Sequence, residues 1–439
     1  MRKSFILVYT IISSLLLNAQ THADFEWAHS MGSSNADEGA SIKIDNFGNV
    51  YTIGTFEGTV DFDPSAATFN LTSQGQTDIF ITKFSASGDF IWAKALEGTG
   101  ADYGDGIDVD ALGNVYTTGR FTGTTDFDPN AGTFNITSQG SNDIFISKLD
   151  AAGNFVWAKS IGGGSSDYGK SIALDASGNI YVTGAFQATV DFDPGIGTFN
   201  LSAVGTWDVF VLKLNTVGDF VWAKSFGGTS NDEGRKIAVD GSGNIYTTGF
   251  YSSTTDFNPN AGTFNITSQG SADVFISKLD ASGNFVWAKS IGGTSADHGY
   301  GLTLDALGNV LITGRFNNSV DFDPGAGVYN LSSQGNADVF ILKLDALGDF
   351  VWAKTLGGTA ADYGQSITVD INNNIYITGY FNGTVDFDPG VGVKNISSLG
   401  GTDVFILKLD ANGNFVWAKS IGGTGADVGN AIAVNVSND

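Results

Sequence analysis

The chain has no cysteine, two methionines and six prolines in 439 residues. Without cysteine, neither a disulfide framework nor a lipid-modified cysteine is available. Glutamate is almost missing: Glu26, Glu38, Glu57, Glu97 and Glu233 are the only ones among 46 acidic residues. Helix-period runs of Leu, Glu, Lys and Ala are absent, which argues against an α-helical fold. Lys and Arg number 21 against a formal net charge of −25, so the basic stripe that nucleic acid needs is lacking. Nucleophile elbows, zinc motifs and phosphate loops do not occur, and the chain reads as a non-enzyme.

What is present is glycine (60 residues), aspartate and short Val/Ile/Phe/Tyr runs. Aspartate favours turns over helices and strands, and the apolar runs between glycines are an all-β signature. Residues 1–23 differ from the rest. Met1-Arg2-Lys3 is followed by the apolar run Phe5 to Leu17 and by small residues near Gln20 and Ala23. That pattern predicts a secretory signal peptide, hence a secreted or cell-surface protein that spans no membrane after cleavage. An uncleaved N-terminal anchor is the alternative.

From residue 24 to 439 the chain reads as one domain built on a 65-residue period. Trp27, Trp92, Trp157, Trp222, Trp287, Trp352 and Trp417 keep that spacing, and so do all six prolines from Pro64 to Pro389. Within residues 171–224 four strand-like runs stand out: 171–175, 179–184, 208–214 and 219–224. Tight turns with an Asx oxygen and glycine join the first to the second and the third to the fourth. In the sixth copy the turn residue Gly178 is replaced by Asn373, the non-glycine residue best suited to positive φ. The residue that opens the second turn is Asp150 or Asp280 in some copies and Ser85 or Asn215 in others. An oxygen is needed there and a charge is not, and an EF-hand is excluded. Repeated four-stranded antiparallel units predict a β-propeller, with an open β-solenoid as the alternative.

The order Gly-Gly-Thr-x-x-Asp-x-Gly, then Ile-Ala-Val-Asp-x-x-Gly-Asn-x-Tyr-x-Thr-Gly, then Asp-Phe and Asp-Val-Phe-x-x-Lys-Leu-Asp resembles the bacterial SBBP-type repeat of β-propeller proteins. The resemblance covers nearly all of residues 25–434 and departs from the usual pattern in the longer unit with its Asp-Phe-Asp-Pro insert. It implies a propeller, often secreted or on a surface, and brings no catalytic residues. An orphan fourth strand at Phe25 to His29 and an orphan first strand at Ala431 to Val434 flank six complete copies. The arithmetic predicts seven blades, the seventh partial in a C-terminally truncated chain. Six blades with both end strands left over is the alternative.

Two repeated acidic sets are candidate sites. The first is Asp61 and Asp63, with copies at Asp126 and Asp128, Asp191 and Asp193, Asp256, Asp321 and Asp323, Asp386 and Asp388. Proline followed by glycine, as at Pro194-Gly195, predicts a type II turn opened by the second acid. The first acid has no such role in view, and a Ca²⁺ site is the sharper reading. The second set, Asp37, Asp102, Asp167, Asp232, Asp297, Asp362 and Asp427, is read as loop caps or as an acidic ring at the channel mouth. The residue after each varies: Glu38, Tyr103, Tyr168, Glu233, His298, Tyr363, Val428. Phe155 and Trp157 share a strand face and read as packing. Trp207, the one tryptophan off the period, is a candidate ligand contact. The sequence thus predicts a non-enzymatic binding or structural scaffold for an extracellular protein or glycan. A calcium-dependent adhesin or glycan-binding protein is the alternative, and a propeller hydrolase or lyase using an aspartate pair ranks below it.

Overall fold

The computed structural model describes residues 25–435, so the predicted signal peptide lies outside the described residues. Six copies of one unit follow each other, with no helix among the described residues. In the first copy the strands are β1 (Glu38–Ile44), β2 (Val50–Phe56), β3 (Thr59–Asp61), β4 (Asn70–Thr72), β5 (Asp78–Phe84) and β6 (Phe90–Gly98). β1, β2, β5 and β6 form an antiparallel sheet in that order. β3 and β4 form a separate ribbon within the long connection from β2 to β5, with Thr59 opposite Thr72 and Asp61 opposite Asn70.

Each first strand starts earlier than expected, at Tyr168 in place of Ser171 in the third copy, because it continues through a bulge between Gly169 and Ser171. The Asx turns are built as the sequence predicts. Asp45 accepts the amides of Phe47 and Asn49 on one oxygen, and Asn49 Nδ2 and Tyr51 Oη on the other. Gly178 has φ of 80° and its counterpart Asn373 has 61°.

The Pro-Gly turn differs from expectation. Gly195, Gly325 and Gly390 do not adopt positive φ, so the turn is not type II. The carboxylate of Asp193 takes the Gly195 amide at 2.8 Å, closing an Asx turn. Asp63 does the same for Ser65 at 2.9 Å. Left-handed backbone is therefore not required after the proline, and the Ser, Asn and Gly seen there are equivalent.

First strands of successive copies pack side by side, β1 against β7 (Tyr103–Val109) and so on through the sixth copy. The insert ribbon of one copy also pairs with the last strand of the preceding one, Glu97 opposite Asp126 and Gly98 opposite Thr125. The phenylalanine of each Asp-Phe-Asp, from Phe62 to Phe387, is at most 1% exposed. Phe62 meets Phe56 edge-on at 5.5 Å, and Phe257 packs on Phe226 of the previous copy. These rings supply apolar burial at each junction.

The periodic tryptophans sit on the turn glycine of the following copy. A Cβ on Gly283, where φ is 76°, would lie 3.2 Å from the ring of Trp222. Gly153 faces Trp92, and Gly88 of the first copy faces Trp27 in the same way. At the other terminus Gly429 lies against Thr378 and Val404 as Gly364 lies against Thr313 and Val339. Asn430 Nδ2 reaches Glu38 Oε1 and Gly39 O of the first copy, both at 2.9 Å.

Substituting Gly283→Ala should cost about 1–2 kcal/mol, since left-handed backbone and the tryptophan face both oppose a methyl group. Gly241, with nothing within 4 Å of its would-be Cβ and no positive φ, is the control: Gly241→Ala should leave the denaturant midpoint unchanged.

Candidate functional site

The acids of the Asp-Phe-Asp-Pro inserts point at their own backbone. Asp61 Oδ1 accepts the amides of Asp63 at 3.1 Å and Phe69 at 2.8 Å, closing the base of the β3–β4 loop. Asp126, Asp191, Asp256, Asp321 and Asp386 repeat the pair of bonds. Asp128, Asp323 and Asp388 each take the amide two residues on. A carboxylate oxygen already shared by two N–H donors is a poor calcium ligand. Among the described residues no three His, Cys, Asp or Glu side chains gather as a metal group. One oxygen of each insert carboxylate is thus committed to the turn it closes.

The second acidic set clasps loops. Asp102, Asp167, Asp232, Asp297 and Asp362 are fully buried and none lines the central cavity. Asp167 accepts the amides of Gly163 and Gln187, tying the approach to a first strand to the end of the second. Asp232, Asp297 and Asp362 make the same two bonds. Asp37 takes Glu57 N and Asp427 takes Gly423 N. Sequence reasoning missed a third series at the start of each β5-type strand, from Asp78 to Asp403. These are at most 1% exposed, and Asp78 accepts Gln74 N and Gly98 N. Its signal was the fixed spacing between Asp-Val-Phe and the later Gly-Gly. A Cβ on Gly162 would meet the Asp143 carboxylate.

Burial raises the pKa of Asp78, Asp102, Asp143, Asp167, Asp208, Asp232, Asp273, Asp297, Asp338 and Asp362, against the lowering effect of their amide bonds. Asp102 and Asp232 are pushed up to about 7, with Asp78 and Asp208 adding negative charge nearby. Asp338 is also raised to about 7, and Asp167, Asp273 and Asp362 to about 6.

The cavity at the centre has a volume of about 200 Å³. One equivalent position of every 65-residue step lines it, Ala40, Asp105, Lys170, Arg235, Tyr300, Gln365 and Asn430, together with Glu38, Ser41, Lys236, Ser366 and Ala431. That shared position carries a different residue at every step, whereas the turn acids, tryptophans and prolines repeat. The variable residues after the buried aspartates form a second tier, paired in register with the second strand: Tyr103 with Arg120, Glu233 with Phe250, His298 with Arg315, Tyr363 with Tyr380.

The sequence has four arginines. Arg2 lies outside the described residues, and the other three gather around the inner strands. Arg120 lies over Tyr103 at 4.1 Å and Tyr168 at 4.8 Å. Arg235 lies near Phe250 and Tyr300 at 5.6 and 5.8 Å. Arg315 lies over Tyr363 at 4.9 Å and donates to its hydroxyl at 2.9 Å. His298 stacks on Phe250 at 4.4 Å. Burial first, then Arg315 and Arg235, push its pKa down to about 3, so it is neutral. Trp207 stacks on Tyr168 at 4.6 Å, which brings the off-period tryptophan to the same cluster. The signal in the sequence was departure from the repeat.

Three segments carry the Beta-propeller repeat. The SBBP family model matches residues 156–185, 221–258 and 351–385, each running from a fourth strand into the first two strands of the next copy. An uncharacterized WD repeat-containing protein of Acanthamoeba polyphaga mimivirus is 25% identical over 487 aligned residues, covering 91% of this chain and 34% of that protein. Regulatory protein FlaEY of Caulobacter vibrioides is 26% identical over 227 residues, 48% of this chain and 23% of that one. The chain thus spans 34% and 23% of the length of these relatives. Among solved structures, a protein of unknown function from Bacteroides caccae aligns over 73% of this chain and 83% of its own, at 11% identity and TM-score 0.35. The apocarotenoid oxygenase of Synechocystis aligns over 93% and 96%, at 10% identity and TM-score 0.33. An extracellular domain of a one component system from B. thetaiotaomicron covers 87% of this chain and 56% of its own, at 11% identity and TM-score 0.27. No helix among the described residues is long and apolar enough to cross a membrane.

Two outcomes are expected. Melting temperatures in excess EDTA and in calcium should coincide, since one oxygen of each insert acid is already held by backbone amides. Stability should also fall as pH rises. Between about pH 4 and pH 7 the folded state holds protons on the raised aspartates that the unfolded state has lost, so their contribution is complete below pH 4 and disappears through pH 7. Asp45, Asp175, Asp240, Asp305 and Asp410 are held below the usual range in the fold, their turn hydrogen bonds outweighing burial, and lose stability only in stronger acid. Thermal melting should therefore give a higher midpoint at pH 5 than at pH 8.

Proposed function

We propose that the chain is a secreted or cell-surface propeller protein that acts as a non-enzymatic binding scaffold, holding an extracellular protein or glycan at its central cavity. The observation that carries this reading is where the copies differ. Scaffold positions repeat, while the cavity receives a different side chain from each of seven consecutive steps. A purely structural array has no reason to diversify there, whereas an asymmetric ligand needs unlike contacts around a symmetric frame. We infer a seven-station ring from the same geometry: Trp27 packs on the first copy as Trp92 packs on the second, and Asn430 bonds to Glu38 and Gly39.

A second reading, a propeller hydrolase or lyase, is favoured by one contact. Tyr300 Oη lies 3.2 Å from Nδ1 of the neutral His298, an arrangement capable of moving a proton.

A panel of glycans and matrix proteins, offered to the wild type and to a Tyr300→Ala/Trp207→Ala double variant, tests the proposal. Binding that falls at least about tenfold in the variant supports it. Binding unaffected by the variant but lost on changing the exposed hairpin tips Phe47 and Leu112 would place recognition on the opposite face and overturn it. Turnover of a bound molecule that Tyr300→Phe abolishes would replace it with the enzyme reading.

A further inference from the structure

Each junction between successive copies is sealed in the same way. Between the fifth and sixth copies, Val339, Ile341 and Leu356 pack against Ile375, Ile377, Phe405 and Leu407, which lie on the second and third main strands of the sixth copy. The equivalent residues of the sixth copy itself are Val404, Ile406 and Ile421. Ile421 is 60% exposed, whereas its counterparts Leu96, Ile161, Phe226, Ile291 and Leu356 are at most 3% exposed. Val404 and Ile406 are half-buried, whereas Val339 and Ile341 are buried. The first copy has a matching opening on its other face. Val50 is half-buried there, yet Val115, Ile180, Ile245, Val310 and Ile375 at the same position are fully buried.

Two extended segments frame the opening from inside and outside. Ile432 N donates to Ser366 Oγ at 3.3 Å, as Ile237 N does to Ser171 Oγ at 3.4 Å, which puts residues 430–434 in a first-strand position beside the sixth copy. Trp27 Nε1 donates to Ala86 O at 3.2 Å, as Trp92 Nε1 does to Ala151 O at 3.4 Å, which puts residues 25–29 in a fourth-strand position against the first copy. In every complete copy the first strand pairs with the second and the fourth with the third. Among the described residues neither segment joins a ladder. Their backbone edges and the two apolar faces border one slot. Open strand edges and an uncovered apolar sheet face are the two features that capture further strands.

We propose that this slot docks a partner polypeptide segment carrying two strands of the same repeat, one of the Asn-x-Tyr-x-Thr-Gly kind beside residues 430–434 and one of the Asp-Val-Phe-x-x-Lys-Leu kind beside residues 25–29. The sealed junctions define this occupant, since in each of them that strand pair covers the preceding copy. Alternate side chains would face the two sides of the slot, as Val182 and Tyr181 of the third copy face the second and the fourth. The inference rests on the seven-station ring and is independent of what the central cavity holds.

Isothermal titration of the protein with residues 375–414 of its own sequence, fused to a soluble carrier, tests it. The fusion should bind one to one, while the carrier alone does not, and hydrogen exchange should slow at residues 26–29 and 431–434. Ile421 is exposed in the free protein, so Ile421→Asp leaves the fold intact and should weaken binding about tenfold or more. Leu407→Asp in the fused segment should do the same. Leu112→Asp, at an exposed hairpin tip, should leave affinity unchanged. The ring is checked separately with Glu38→Cys and Asn430→Cys in a chain that otherwise has no cysteine: a short bismaleimide should join the pair within one molecule. If the pair is joined and the segment does not bind, or binds Ile421→Asp equally well, the slot inference fails while the ring stands. If the pair is not joined, the ring fails and the slot with it. If the protein forms a dimer that Ile421→Asp splits, a second copy covers the face and the inference is overturned.

Discussion

Backbone amides outside the strands must find acceptors, and in this protein aspartate supplies them. A buried or half-buried N–H without a partner costs about as much as a lost hydrogen bond. Each copy has long connections, so it carries many such amides. The short Asp side chain reaches amides two to four residues away, as at Asp45, and amides of a neighbouring loop, as at Asp167. Glutamate, one methylene longer, lacks that fit, which accounts for its near absence. The acidity of the chain is thus mainly loop architecture.

The same constraint decides how much was legible from residues alone. The 65-residue period, the four main strands and the Asx turns could be read because they rest on local rules: strand alternation, glycine or asparagine at positive φ, an oxygen at the turn's opening. The insert was harder. Its ribbon strands, such as Thr59–Asp61, are three residues long, too short for an alternation pattern to register. Pro194-Gly195 looked like a type II turn because the pair usually is one, yet the Asp193 carboxylate captures the glycine amide and selects another geometry. Asp102 was recognised as a repeated acid, but its burial depends on a partner loop twenty residues away. Asp78 hid as a strand's first residue, since its partner Gly98 arrives from the end of β6.

The cluster of Arg120, Arg235 and Arg315 was the least legible feature. These residues are spread over three copies and meet only because equivalent positions converge. Their one mark in the sequence was breaking the pattern, and Trp207 bore the same mark. Repetition supplies a frame in which each copy holds its neighbours through the tryptophan–glycine contact and the insert ribbon. Deviation from repetition is then tolerated at positions that these junction contacts do not use.

The strict 65-residue step has a consequence for how such molecules change over time. Strand register, the tryptophan contact and the ribbon pairing all break if a copy gains or loses a few residues, whereas a whole copy can be duplicated or deleted with every junction intact. Each such event would shift the side chains facing one another across the middle and alter the width between them. The set of side chains gathered at the centre can therefore turn over by exchanging complete units, with no point substitution in any of them.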